Sequence, residues 1–244
     1  MSDIALEIRD MVAGYFPDLP ILRGVSIKVK KGSLNLVIGP NGAGKSTLIK
    51  AMVGLVKVSQ GSVQIKGKEI YGVKPHQVRD YGVSYVPQID NIFRSLTVRQ
   101  NLELSLRNYG HGANERLSEL LDQFPVLSNK LGEKAGALSG GERQFLAVAM
   151  AVSTGPDIIL MDEPSAGLAP KAAQSILELM RELTYSGVSI LLVEQNVNQA
   201  LRLADYCNIL AEGRNQVSGK ASELLNDPIV GEIYLGGRRL RAEV

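Results

Sequence analysis

Gly39-Pro40-Asn41-Gly42-Ala43-Gly44-Lys45-Ser46-Thr47 is the stretch whose reading decides this chain. It follows the pattern glycine, four residues, Gly-Lys-Ser. LNLVI runs into it as a strand, and STLIKAMV leaves it with Leu48, Ile49, Met52 and Val53 at helical spacing. Glycines let backbone N–H groups wrap an oxyanion at the start of a helix, so the segment predicts a triphosphate site. Lys45 is expected to reach the β and γ phosphates, the Ser46 hydroxyl to ligate Mg²⁺, and Thr47 to add a phosphate contact. The alternative is a glycine-rich strand-to-helix turn that binds nothing, and the strand-to-helix context makes an accidental match to the pattern rarer.

Downstream, the apolar run IILM delivers two adjacent carboxylates, Asp162 and Glu163, to a strand end, where α/β sheets bind ligands. Asp162 is expected to hold Mg²⁺ through its water shell, and Glu163 to accept a proton from an attacking water. Lys45 and Asp162 lie 117 residues apart, so something is inserted between them. Within that interval, Leu138-Ser139-Gly140-Gly141-Glu142-Arg143-Gln144 precedes the apolar helix Phe145 to Val152 and forms a second cluster of free N–H groups. One chain cannot bring both loops to one triphosphate. The second is therefore expected to meet the nucleotide held by a neighbouring subunit. Ser139 and Glu142 also fit an ordinary capping box, which is the structural alternative.

The rest of the pattern gives an α/β chain read as one domain. ALEIRD, GVSIKVK and LNLVIG form a β-rich opening, SVQIKG is a further strand, and residues of about 88–152 form a helical insertion. Leu117, Leu120, Leu121 and Phe124 make a helical stripe in that insertion. IILM, the helix Lys171 to Leu183 and SILLV form a parallel β-α-β unit, and NILAEGRNQVSG reads as a hairpin turning near Gly213. Short helices are expected from Ala221 onward.

Composition excludes several classes. The 27 Lys and Arg against 25 Asp and Glu leave a net charge of +2 over 244 residues, too balanced for a dedicated nucleic-acid binder. The apolar run through Leu146 to Val152 falls far short of the roughly 20 residues of a membrane helix, and MSDIALEIRD lacks a secretory signal's features, so a cytosolic chain is expected. His76 and His111, the only histidines, leave little for a zinc site or a Ser-His-Asp triad, and Cys207 in LADYCNIL reads as inert core.

GPNGAGKST, LSGGERQ and IILMDEP, in this order and spacing, resemble the ATP-binding subunits of ABC transporters. The resemblance covers essentially the whole chain. It implies a P-loop NTPase with a RecA-like core, an N-terminal antiparallel β-subdomain and an inserted helical subdomain carrying LSGGE. It further implies an ATPase that closes head-to-tail with a partner, two ATP being held between each phosphate loop and the opposite Ser139-Gly140-Gly141-Glu142 segment. Gln88 in Val86-Pro87-Gln88 looks like the family's glutamine loop, implying contact with Mg²⁺, the attacking water and the membrane subunit. Tyr15 looks like the adenine-stacking aromatic, with Phe16 as its rival. Two positions depart from the family: Gln195 stands where a histidine is usual, and Ala169 where an aspartate is usual. A Gln amide can donate to phosphate but carries no charge.

VEQN, the SAGLAP segment and the tail LLNDPIVGEIYLGG look like an ATPase subunit of branched-chain or neutral amino-acid importers. That resemblance implies two membrane permeases, a sister ATPase, an extracytoplasmic binding protein and a peripheral place on the cytoplasmic side of the membrane. The related ATPase of lipopolysaccharide export is the runner-up, and soluble ABC ATPases or P-loop kinases are more distant alternatives. Ile92, Phe93, Leu96 and Val98 are expected either to line a groove for a permease helix or to join the core. The basic tail Gly237 to Arg241 reads as a solvated end.

Overall fold

The computed structural model describes residues 3–16, 18–70, 72–107, 112–225, 227–228 and 230–231. His111 and the basic tail at 237–241 lie outside them. Strands β1 (Ile4–Gly14) and β2 (Leu22–Lys30) pair antiparallel. Burial in β2 alternates with its sequence: Val25, Ile27 and Val29 point inward, and Ser26, Lys28 and Lys30 outward. β3 (Leu34–Ile38) is buried at all five positions. The sequence reading grouped β3 with the opening strands, but it sits in the middle of the other, mostly parallel sheet. A strand without polar alternation needs cover on both faces, and only that sheet offers it.

Helix α1 (Lys45–Met52) follows the phosphate loop, and β4 (Lys57–Ile65) and β5 (Lys68–Glu69) complete a four-stranded sheet in the order β2-β1-β4-β5. After β6 (Val83–Val86) come helices α2 (Val98–Ser105), α3 (Ala113–Gln123), α4 (Pro125–Ser128) and α5 (Gly140–Val152). The chain then runs through β7 (Ile158–Asp162), α6 (Pro170–Tyr185), β8 (Ser189–Val193), α7 (Val197–Leu203), β9 (Tyr206–Ala211), β10 (Arg214–Lys220) and α8 (Ala221–Leu224). The six-stranded sheet has the order β10-β9-β3-β8-β7-β6, parallel except for the β9–β10 hairpin.

That sheet separates two apolar cores, and side-chain parity assigns each residue to one of them. Leu34, Leu36, Ile38, Ile159, Met161, Ile190 and Leu192 face the helices, together with Leu117, Leu120, Phe124 and Val98. Val37, Ile158, Leu160, Leu191 and Val193 face α1 and the antiparallel sheet. Asp162 continues β7 with the parity of Leu160, which directs it to the α1 side. Of the four apolar residues after Gln88, Val98 is wholly buried and Ile92 packs on the core, while Phe93 stays 52% exposed. The apolar cluster is thus split between core and surface. Cys207 is buried, and burial pushes its thiol up to about 12, in keeping with an inert side chain.

Gly213 joins the two sheets. Its carbonyl accepts from the Arg23 N–H at 2.8 Å, and its own N–H donates to Ala43 O in the phosphate loop at 3.2 Å. Its φ is +75°, and a Cβ there would stand 1.8 Å from Ile21 O. Gly213→Ala is expected to lower stability by at least about 2 kcal/mol in chemical denaturation. A loss within error of zero would mean that the sheets are not tied here.

Candidate nucleotide-binding and hydrolysis site

Gly42 and Gly44 adopt φ of +81° and +99°, Gly44 capping α1, and a Cβ on Gly39 would lie 2.1 Å from Leu210 O. Side chains are therefore excluded where the loop turns back on itself. Lys45 is 5% exposed and folds over the loop, its Nζ donating to Gly39 O at 2.9 Å and Pro40 O at 3.3 Å. Burial pulls its pKa down, and the charges of Glu163 and Asp162 oppose that shift.

Strand β7 brings its two carboxylates to this loop. Asp162, 2% exposed, accepts from the Ser46 hydroxyl at 2.8 Å. Burial raises its pKa, and the Ser46 hydrogen bond works in the other direction. Glu163, also buried, lies with Oε1 4.0 Å from Lys45 Nζ. Its Oε2 accepts from Gln88 Nε2 at 2.9 Å and from Gln195 Nε2 at 2.8 Å. Gln88 follows β6 and Gln195 follows β8, the two strands beside β7, so sheet order alone carries both amides to one carboxylate. Asn41, Gly42, Gly44, Lys45, Ser46, Thr47, Gln88, Glu163 and Gln195 line, with Ile21, a cavity of about 360 Å³.

Tyr15 and Phe16 follow β1 and are 55% and 68% exposed. With Gly14, Pro20, Lys57 and Ser59 they form a small cleft, and Pro20 is chain neighbour to Ile21 of the phosphate cavity. The Ser139 segment lies elsewhere. Ser139 Oγ accepts from Glu142 N at 3.3 Å and Glu142 Oε2 accepts from Ser139 N at 2.8 Å, so the capping box forms. The Ser139 backbone bond is the chief cause of a lowered Glu142 pKa, with Lys130 assisting. Cβ atoms on Gly140 and Gly141 would meet Leu168 and Ala172 at 3.2 and 3.0 Å. Gly140 shares a second pocket, of about 210 Å³, with Gln88, which borders both cavities.

Two polar links escaped the sequence reading. Asn91 Nδ2 donates to Gln144 Oε1 at 3.0 Å, joining the loop after Gln88 to α5. Glu194, 1% exposed, accepts from Ser165 N at 2.9 Å, Ser165 Oγ at 2.8 Å and Gln195 N at 3.1 Å. Burial raises its pKa and these donors offset part of the rise. A charged residue closing the apolar strand SILLV was the signal available for Glu194.

Residues 22–166, more than half of the sequence, match the family described as ABC transporter. The chain belongs to that family. This ABC cassette is 38% identical over 229 residues to the "High-affinity branched-chain amino acid transport ATP-binding protein BraG" of Pseudomonas aeruginosa, covering 93% of this chain and 98% of that one. It is 41% identical to the "Probable branched-chain amino acid transport ATP-binding protein LivF" of Archaeoglobus fulgidus, covering 92% and 95%. The "Lipopolysaccharide export system ATP-binding protein LptB" of Haemophilus influenzae is 33% identical, covering 96% and 98%. Among solved structures, the ADP conformation of MJ1267, an ATP-binding cassette of an ABC transporter, superposes with a TM-score of 0.85 at 31% identity, covering 96% of this chain and 100% of that one. A dimeric post-hydrolysis cassette, MJ0796 with ADP and Pi, gives 0.77 at 25% identity over 88% and 98%. The fold is that of a P-loop ATPase, and the cassette binds ATP and hydrolyses it.

The raised pKa of Asp162 has a consequence for stability. A carboxyl that binds its proton more tightly when folded weakens the native state as pH rises above its ordinary value of 3.8. Asp162→Asn removes this penalty, and its Oδ1 can still accept from Ser46. The nucleotide-free variant is expected to unfold at a higher temperature than the parent at neutral pH, with the gap closing as pH falls toward 3.8. A lower midpoint at neutral pH would show instead that the charged form is stabilised in the fold.

Proposed function

We propose that this cassette powers an ABC importer of branched-chain or other neutral amino acids. The observation that carries the ATPase chemistry is the meeting of Lys45, Ser46, Asp162, Glu163, Gln88 and Gln195 beside the phosphate loop. The names of BraG and LivF, at 38% and 41% identity against 33% for LptB, support the substrate class. The whole chain acts in this reading as one nucleotide-binding unit, with residues 88–152 as its helical lobe.

Adenine stacks on Tyr15, a contact worth on the order of 1 kcal/mol. Backbone N–H groups from Gly39 to Gly44, with Pro40, Asn41 and Ala43 shaping the turn, cradle the phosphates, and Thr47 adds a contact. The Lys45 ammonium exchanges the Gly39 and Pro40 carbonyls for phosphate oxygens. Glu163 accepts the proton of the attacking water, and Gln88 and Gln195 orient that water and the γ-phosphate. Gln195 does this through hydrogen bonds alone, with no charge to contribute.

The Ser46 hydroxyl, the Asp162 carboxylate and the Gln88 amide are hard oxygen donors and fit Mg²⁺. When bound, Mg²⁺ supplies positive charge against the phosphate oxygens.

Ser139, Gly140, Gly141 and Glu142 lie away from the phosphate cavity of their own chain, so they serve the nucleotide of a second ATPase subunit, a sister chain or another copy. The dimeric form of MJ0796 supports such an arrangement. No helix among the described residues is long and apolar enough to cross a membrane. The cassette then works peripherally, at the cytoplasmic face, on two permease subunits fed by an extracytoplasmic binding protein.

Glu163→Gln is expected to cut turnover by at least about a hundredfold while ATP binding persists. Lys45→Ala is expected to weaken ATP binding itself. Undiminished hydrolysis by the Glu163 variant would remove it from the role of base. Purification of the chain from native membranes in mild detergent, with mass identification of its companions, tests the transport assignment. Two permeases and a second ATPase are expected. Recovery with lipopolysaccharide-export proteins would overturn amino-acid import and leave the ATPase chemistry intact.

A further inference from the structure

The carboxylate of Glu194 has no part in the chemistry just described, yet it is among the most enclosed charged groups of the fold, at 1% exposure. Among the described residues no Lys or Arg forms an ion pair with it within 4.0 Å. Its partners are neutral donors from two loops. One oxygen takes the Ser165 N–H at 2.9 Å; the other takes the Ser165 hydroxyl at 2.8 Å and the Gln195 N–H at 3.1 Å. Ser165 stands two residues after Glu163, and Gln195 places its amide on Glu163 Oε2 at 2.8 Å. Both ends of the Glu163–Gln195 contact are thus held from behind by one side chain. A group that only filled space here would be apolar, because a buried carboxylate without a cation is costly unless its hydrogen bonds are complete.

We infer that Glu194 is a positioning residue for ATP hydrolysis: it pins the Ser165 turn to the Gln195 backbone and so keeps the Gln195 amide on the Glu163 carboxylate. This rests on the reading of Glu163 as the base. Glutamine at 194 matches the shape but turns one acceptor into a donor. It must leave an N–H of Ser165 or Gln195 without its partner, or repel it.

The test is a cycle of Glu194→Gln, Gln195→Ala and the double variant in the full chain. Steady-state ATPase kinetics are read beside the NMR signals of the Gln195 side-chain amide, assigned by its loss in Gln195→Ala. Ser165→Ala, which removes a single hydrogen bond, is the milder companion if Glu194→Gln folds poorly. The expected result is a kcat lowered about tenfold or more in Glu194→Gln with KM for ATP nearly unchanged. The double variant should fall no further than the lower single variant. The Gln195 amide signals should shift in Glu194→Gln and in Ser165→Ala, while those of Gln144 stay in place. Additive losses, parental turnover in Glu194→Gln, or an unmoved Gln195 amide would each overturn the inference. If Glu163→Gln keeps its turnover, the base assignment falls, and the amide signals still report whether Glu194 sets the place of Gln195.

Discussion

Two adjacent carboxylates at the end of a buried strand set the terms for everything around them. Asp162 and Glu163 are 2% and 6% exposed, and the nearest ammonium, Lys45, is 4.0 Å from Glu163 and donates its hydrogen bonds to backbone carbonyls. An uncompensated buried carboxylate costs several kcal/mol, and here the offset comes from neutral donors: the Ser46 hydroxyl and two glutamine amides. Such donors satisfy lone pairs without adding positive charge. The edge of the cavity therefore presents oxygen acceptors that suit a cation.

The backbone shares in this arrangement. Glu163 has φ of +50°, a conformation that costs a side-chain-bearing residue on the order of 1 kcal/mol and persists only where surrounding contacts fix it. Its N–H donates to Val193 O at 2.9 Å, and its own carbonyl accepts from Ala166 N at 3.1 Å. Strand parity sends Asp162 toward α1, and the reversal of backbone direction at Glu163 turns the chain out of the sheet toward the loop that starts at Ser165. Two consecutive residues of one type thus receive different surroundings from one turn of the backbone.

Much of this could be read from residue types and spacing. The glycine pattern located the phosphate loop because the geometry of the loop excludes Cβ atoms, and SILLV and IILM declared themselves as strands covered on both faces. The Ser139–Glu142 box was legible because capping is a local event over three residues. The sheet to which LNLVI belongs was not, since it depends on partners far away in sequence. The Asn91–Gln144 and Glu194–Ser165 bonds escaped for the same reason: polar pairing across 53 and 29 residues leaves no periodic trace. The cluster from Ile92 to Val98 divided between core and surface because the loop before α2 changes direction within it, which hydropathy alone does not record.

The Lys45 ammonium lies over the phosphate loop, bonded to two carbonyls of that loop. A triphosphate reaches that ammonium by an exchange of its hydrogen-bond partners. A neutral nucleoside has nothing that competes with two carbonyl dipoles for that ammonium, whereas a phosphate chain does. The carbonyl contacts of the lysine are thereby a threshold, set by anionic charge, that a molecule must exceed before its base is tested at all.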